Sequence, residues 1–197
     1  MKKISKINLL INKKYKYELL ENGFSNKDIS IGKKVLDSKR ITMAQHTRNF
    51  ENAFAKKLNV KHALMVNSGS SANLLAVFAA GNPLKRNHLK RGDEVLVPVL
   101  CWSTSSWPLV QFGLKPVFID VDINTLNIDI NKLKKKITKK TKAIIATHIY
   151  NFPLRVDILK KICNKNKIIL IEDAAEAIGQ KLNNKLCGSF GDISIFS

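Results

Sequence analysis

Short aliphatic runs and longer segments of helical spacing alternate along most of this chain. Runs of strand length stand at residues 64–66, from Val95 onward, and at 116–121, 143–147, 168–171 and 192–196. Between them, apolar positions recur at helical spacing near 71–80, around Trp107 and Pro108, and at 131–137 and 156–162. Ile168, Ile169, Leu170 and Ile171 are consecutive and aliphatic, flanked by Lys167 and Glu172. Such a run predicts a parallel strand covered on both faces, and the whole pattern predicts an α/β fold, a mainly parallel sheet with helices on each side. Upstream, residues 33–57 predict helices around a turn at 40–45, and residues 17–22 carry a short helical pattern.

The polar residues that follow the predicted strands carry the chemistry. Open α/β sheets bind ligands outside the carboxyl ends of their strands, so Asp173, just past 168–171, is aimed at a crevice. It could equally cap the following turn. The stretch from Leu64 to Ala76 reads as strand, hydroxyl-rich turn and helix. In it Gly69 allows close approach, and Ser70 and Ser71 add hydroxyls to a helix start that can hold a phosphate. The same letters also make an ordinary helix cap. Trp102, past the strand that starts at Val95, could stack on a planar ring or belong to the core. His148, at the end of 143–147, is a candidate for lining a site; the alternative is a histidine satisfied by backbone. Asp120 and Asp122 flank Val121 and could suggest a metal pair, but no metal site is expected.

Phosphate cradle, aromatic and strand-end carboxylate, in that chain order, resemble the sugar-modifying branch of the fold-type I pyridoxal phosphate enzymes, the DegT/DnrJ/EryC1/StrS family, over residues 33–197. The resemblance implies a fold-type I large domain at 33–197, stopping before its seventh strand, behind a peripheral N-terminal arm at 1–32. It implies pyridoxal 5'-phosphate as cofactor. Asp173 would pair with the pyridine nitrogen, Glu176 would sit near the ring hydroxyl, and Trp102 would lie over the ring. Ser70, Ser71 and Ser197 would hold the phosphate. The family's Schiff-base lysine lies roughly five residues beyond the position of Ser197, so no catalytic residue is assigned within the chain.

Two reactions follow from the resemblance. One is transamination of a nucleotide-linked keto-deoxysugar by an amino-acid donor, serving O-antigen and lipopolysaccharide synthesis, in an enzyme that is a homodimer when full length. The other is 3-dehydration of a nucleotide 4-keto-6-deoxyhexose, whose subgroup residues 35–39, 67–75, 102–104 and 121–129 resemble and in which histidine replaces the lysine. A third expectation is an inactive fragment that lacks the lysine.

Composition adds limits. A 45% hydrophobic content in 197 residues excludes a disordered chain. The net charge of +19, from 34 basic and 15 acidic residues, raises nucleic-acid binding. Yet the lysines, as at Lys132, Lys134 to Lys136, Lys139 and Lys140, are spread among Asn and Ile, which suits a solvated surface, and no nucleic-acid partner is expected. Cys101, Cys163 and Cys187 lack metal-ligand spacing and form no disulfide framework, which points to a reducing compartment. The apolar start is interrupted by Asn12, Lys13 and Lys14, and no run is long enough to span a bilayer, so a cytoplasmic location without a membrane partner is expected.

Overall fold

The aliphatic runs do become strands of one parallel sheet. The computed structural model describes residues 23–150, 152 and 154–197. The chain divides into two compact units, Met1–Arg48 and Asn49–Ser197.

In the first unit, α1 (Asn26–Asp37) opens with a capping box in which Ser25 and Asp28 satisfy each other's backbone amides. The expected boundary at residue 32 falls inside this helix, and the helical pattern at 17–22 lies outside the described residues. Helix α2 (Gln45–Leu58) runs across the division between the units.

In the second unit, α3 (Gly69–Ala80), α4 (Ser103–Phe112), α5 (Ile130–Lys136) and α6 (Val156–Asn166) alternate with strands. The strands are β1 (Glu94–Pro98), β2 (Lys115–Ile119), β3 (Thr141–Thr147), β4 (Ile169–Asp173), β5 (Lys181–Leu182), β6 (Lys185–Leu186) and β7 (Ile193–Ile195). Five of them form a parallel sheet in the order β2-β1-β3-β4-β7.

Strand alternation sorts the core into two layers. Val97, Ile145, Ile171 and Ile195 face α3 and α4, where Val77 and Leu109 meet them. Leu96, Ile144 and Leu170 face α5 and α6, where they meet Leu133, Leu159 and Cys163. A sheet apolar on both faces needs helices on both, which is why β3 and β4 read as continuous apolar runs. Gly113, at φ 81°, ends α4 in a left-handed turn that a side chain would strain.

Two elements depart from the sequence expectation. Residues 64–66 form no ladder: Leu64 is 68% exposed, and the Met65 amide donates to the Glu51 carboxylate at 2.8 Å. A strand exists only through its neighbour, and among the described residues no strand pairs with this segment. Between β4 and β7 the chain also forms the β5-β6 hairpin, for which the sequence pattern predicts no element. Its turn is Asn183 and Asn184, at φ 51° and 62°, and asparagine tolerates this left-handed conformation better than most residues. Cys101, Cys163 and Cys187 are free thiols. Among the described residues no helix is long and apolar enough to cross a membrane.

Candidate functional site

β4 ends at Asp173, and the alternation that buries Ile169 and Ile171 against α3 and α4 sends this carboxylate to the same face. Asp173 is 4% exposed. Its Oδ2 accepts a hydrogen bond from the Ser105 hydroxyl at 2.8 Å, and its Oδ1 accepts the Ala175 amide at 3.3 Å. The second bond is the turn cap allowed for in the sequence, but it is long, and a carboxylate has room for further donors. Directly opposite in register stands Thr147, the last residue of β3. Its buried hydroxyl has no hydrogen-bond partner among the described residues. Leaving such a group unsatisfied costs about 1–3 kcal/mol.

Helix α3 packs on α4 and on β7, so its first turn belongs to the same layer. Ser68 is the N-cap: its Oγ accepts the Ser71 amide at 3.1 Å and lies 3.2 Å from the Ser71 hydroxyl. The Ser71 amide is therefore engaged, whereas the Gly69 and Ser70 amides have no acceptor among the described residues. Ser70 itself is exposed. Gly69 is tightly apposed to Ser197. A Cβ at Gly69 would stand 2.8 Å from the Ser197 Cβ and 3.0 Å from its Oγ. Thus two free amides, a positive helix end and the Ser197 hydroxyl converge.

Trp102 precedes α4 with 71% of its surface exposed, which removes the core reading. It stands three residues before Ser105, so one helix start presents an aromatic ring at the rim and a hydroxyl to Asp173. Glu176 is exposed, and one of its carboxylate oxygens accepts the Tyr150 amide at 2.6 Å, tying the turn after β4 to the loop after β3.

His148 must be corrected as a lining residue. It is fully buried, its Nδ1 accepts the Leu154 amide at 3.1 Å, and its Nε2 lies 2.9 Å from Glu172. One residue past Thr147, alternation turns it to the α5 and α6 layer, across the sheet from Asp173. Glu172 also accepts the amides of Gly188, Phe190 and Gly191, so this pair fixes the loop that leads into β7.

Asp120 pairs with Lys132 at 2.9 Å, and Asp122 caps the turn at Asn124. Among the described residues no cluster of side chains could hold a metal ion. Ser105 and Thr147 are the site residues that sequence reasoning missed. Their signal is only a small hydroxyl residue beside a predicted strand end or helix start, too common to single out.

Comparison with known proteins places the chain in a family. The sequence model of the DegT/DnrJ/EryC1/StrS aminotransferase family matches residues 24–197. The chain is 44% identical over 181 residues to a GDP-4-keto-6-deoxy-D-mannose 3-dehydratase of Escherichia coli O55:H7, covering 92% of this chain and 46% of that protein. It is 42% identical over 148 residues to a GDP-perosamine synthase of Vibrio cholerae, covering 75% of this chain and 38% of that protein. The structure of the E. coli GDP-4-keto-6-deoxy-D-mannose 3-dehydratase with bound hydrated PLP superposes with a TM-score of 0.84 at 43% identity, over 89% of this chain and 45% of that one. The chain thus spans less than half the length of these relatives.

Proposed function

The chain belongs to the DegT/DnrJ/EryC1/StrS aminotransferase family, and from that premise we propose that its site holds pyridoxal phosphate and acts on a nucleotide-linked keto-deoxysugar. The observation that carries this reading is the Asp173 carboxylate, buried at the carboxyl edge of the sheet on the layer that also presents the start of α3. The residues present fit such a cofactor. Two free amides and the Ser197 hydroxyl suit a phosphate, an exposed indole suits a ring face, and the Thr147 hydroxyl lacks a partner.

When bound, the cofactor supplies a cationic aromatic ring that withdraws electrons from the carbon being transformed. The chain's own residues do the rest. Asp173 keeps the proton on the ring nitrogen through a charge-assisted hydrogen bond. The Gly69 and Ser70 amides, with the hydroxyls of Ser70, Ser71 and Ser197, hold the phosphate at the positive end of α3. Trp102 covers the ring and keeps water from one face. Glu176, held by Tyr150, stands beside the ring hydroxyl.

Of the two reactions, removal of the C3 hydroxyl from a nucleotide 4-keto-6-deoxyhexose has the stronger support, since the dehydratase relative matches a longer stretch of the chain at higher identity. Transamination from an amino-acid donor is the second reading, favoured by the perosamine synthase relative. Mass spectrometry of GDP-4-keto-6-deoxymannose incubated with the protein, pyridoxal phosphate and glutamate separates them as a 3-deoxy product or a 4-amino product. Equilibrium dialysis against pyridoxal phosphate tests the site itself. Asp173→Asn is expected to lower retention at least about tenfold. Equal retention by variant and parent would remove Asp173 from its assigned role.

A further inference from the structure

Among the described residues, Ser105 is the side chain that donates to the Asp173 carboxylate. It lies in the first turn of α4, where a serine usually turns back on its own helix, as Ser106 does by donating to the Ser103 carbonyl at 3.0 Å. Ser105 instead points inward. It is 0% exposed, and its hydroxyl bridges helix to strand at 2.8 Å between residues 68 positions apart.

We propose that Ser105 is a positioning residue that fixes the rotation of the Asp173 carboxylate by engaging Oδ2, so that Oδ1, which accepts the long bond from Ala175, also faces a donor on the bound ligand. The inference rests on the reading of Asp173 as the partner of a ring nitrogen. Rotation about the bond to an aspartate carboxyl is soft, with broad rather than sharp minima, so hydrogen bonds decide where its oxygens stand. The other bond to this carboxylate, from Ala175 at 3.3 Å, is too long to hold it alone. Without Ser105 the oxygens of Asp173 lose their fixed direction, and a buried carboxylate keeps a single weak donor.

The test uses pyridoxamine 5'-phosphate and its analogue with C–H in place of the ring nitrogen, with affinities measured by calorimetry. Both carry the same phosphate and ring substituents, so a change in α3 or in general packing moves their affinities together. The wild-type chain is expected to prefer the nitrogen-bearing ligand by roughly tenfold, the scale of one charge-assisted bond. Ser105→Ala should reduce that preference to within about twofold while leaving affinity for the analogue nearly unchanged. A variant that weakens both ligands alike, or keeps the full preference, overturns the proposal. A wild-type chain that binds the two equally, or neither, overturns the reading of Asp173 beneath it, a result distinct from failure at Ser105. Should circular dichroism show that Ser105→Ala has lost its fold, Ser105→Cys keeps the shape with a weaker donor, and the same ratio is read.

Discussion

Glu172 holds a negative charge where water does not reach, with both it and His148 at 0% side-chain exposure. Burial pushes its carboxyl upward. The His148 ring and the Gly188 and Gly191 amides outweigh that and hold it below its ordinary value of 4.5. Because Nδ1 of His148 accepts from Leu154, the ring proton sits on Nε2 and faces Glu172. A carboxyl lowered on folding contributes stability that is complete above pH 4.5 and is lost as pH falls through the lower folded value. Glu172→Gln should therefore be less stable near neutral pH, by about 1–3 kcal/mol for the lost hydrogen bonds to a charged group, with the gap narrowing only in acid. Urea titrations at several pH values check this, and a gap that stays constant into strong acid would mean that the charge is not what holds the pair. The same residues show what sequence can disclose. Alternation alone separates Asp173 from its neighbours Glu172 and His148, once the strand ends are known. That Ser105 meets Asp173 depends on how a helix packs on a sheet, and no local pattern reports a contact across 68 positions.

At the scale of elements, the start of α3 combines a cap, two free amides and a glycine under contact pressure, and the three respond differently to change. Ser68→Ala removes the cap on the Ser71 amide and should lower stability by about 1 kcal/mol, read from the denaturation midpoint. Gly69→Ala acts on the ligand side, because the new methyl would press on Ser197. It is expected to weaken binding of pyridoxal phosphate by about tenfold or more through displacement of that hydroxyl and crowding of the amides. Unchanged affinity would show that Ser197 moves freely and takes no part. The helices and the five parallel strands were legible because their periodicities persist over several turns or pleats. Residues 64–66 have the composition of a strand, yet strand formation needs a partner, which is a property of the sheet. The β5-β6 hairpin escaped because its strands are two residues each, too short for alternation to show, although Asn183 and Asn184 are a turn signal in retrospect.

For the whole molecule the dominant fact is charge. With 34 basic and 15 acidic residues, at least 19 of the basic side chains have no acidic side chain to pair with. Three ion pairs between charged side chains join described residues, Lys132–Asp120, Arg155–Asp157 and Lys160–Asp192, while the fully buried His148–Glu172 contact joins a neutral ring to a carboxylate. Exposed pairs contribute little, so attraction is confined to a few sites while repulsion among lysines acts across the surface. Folding gathers these like charges together, and repulsion then favours the expanded chain. Salt weakens the repulsion over distances longer than the screening length, which shortens from about 30 Å at 0.01 M to about 8 Å at 0.15 M. The buried Glu172 pair is screened far less. Thermal unfolding followed in sodium chloride over this range should therefore show Tm rising with salt, by about a few degrees, the scale set by about 1 kcal/mol in a chain of this size. Glu172→Gln should show a rise of the same size, since its charge does not face solvent. A Tm that fell with salt would mean that attractive surface pairs outweigh the net positive charge, and that the lysines are arranged against acidic partners and not spread as a solvated coat.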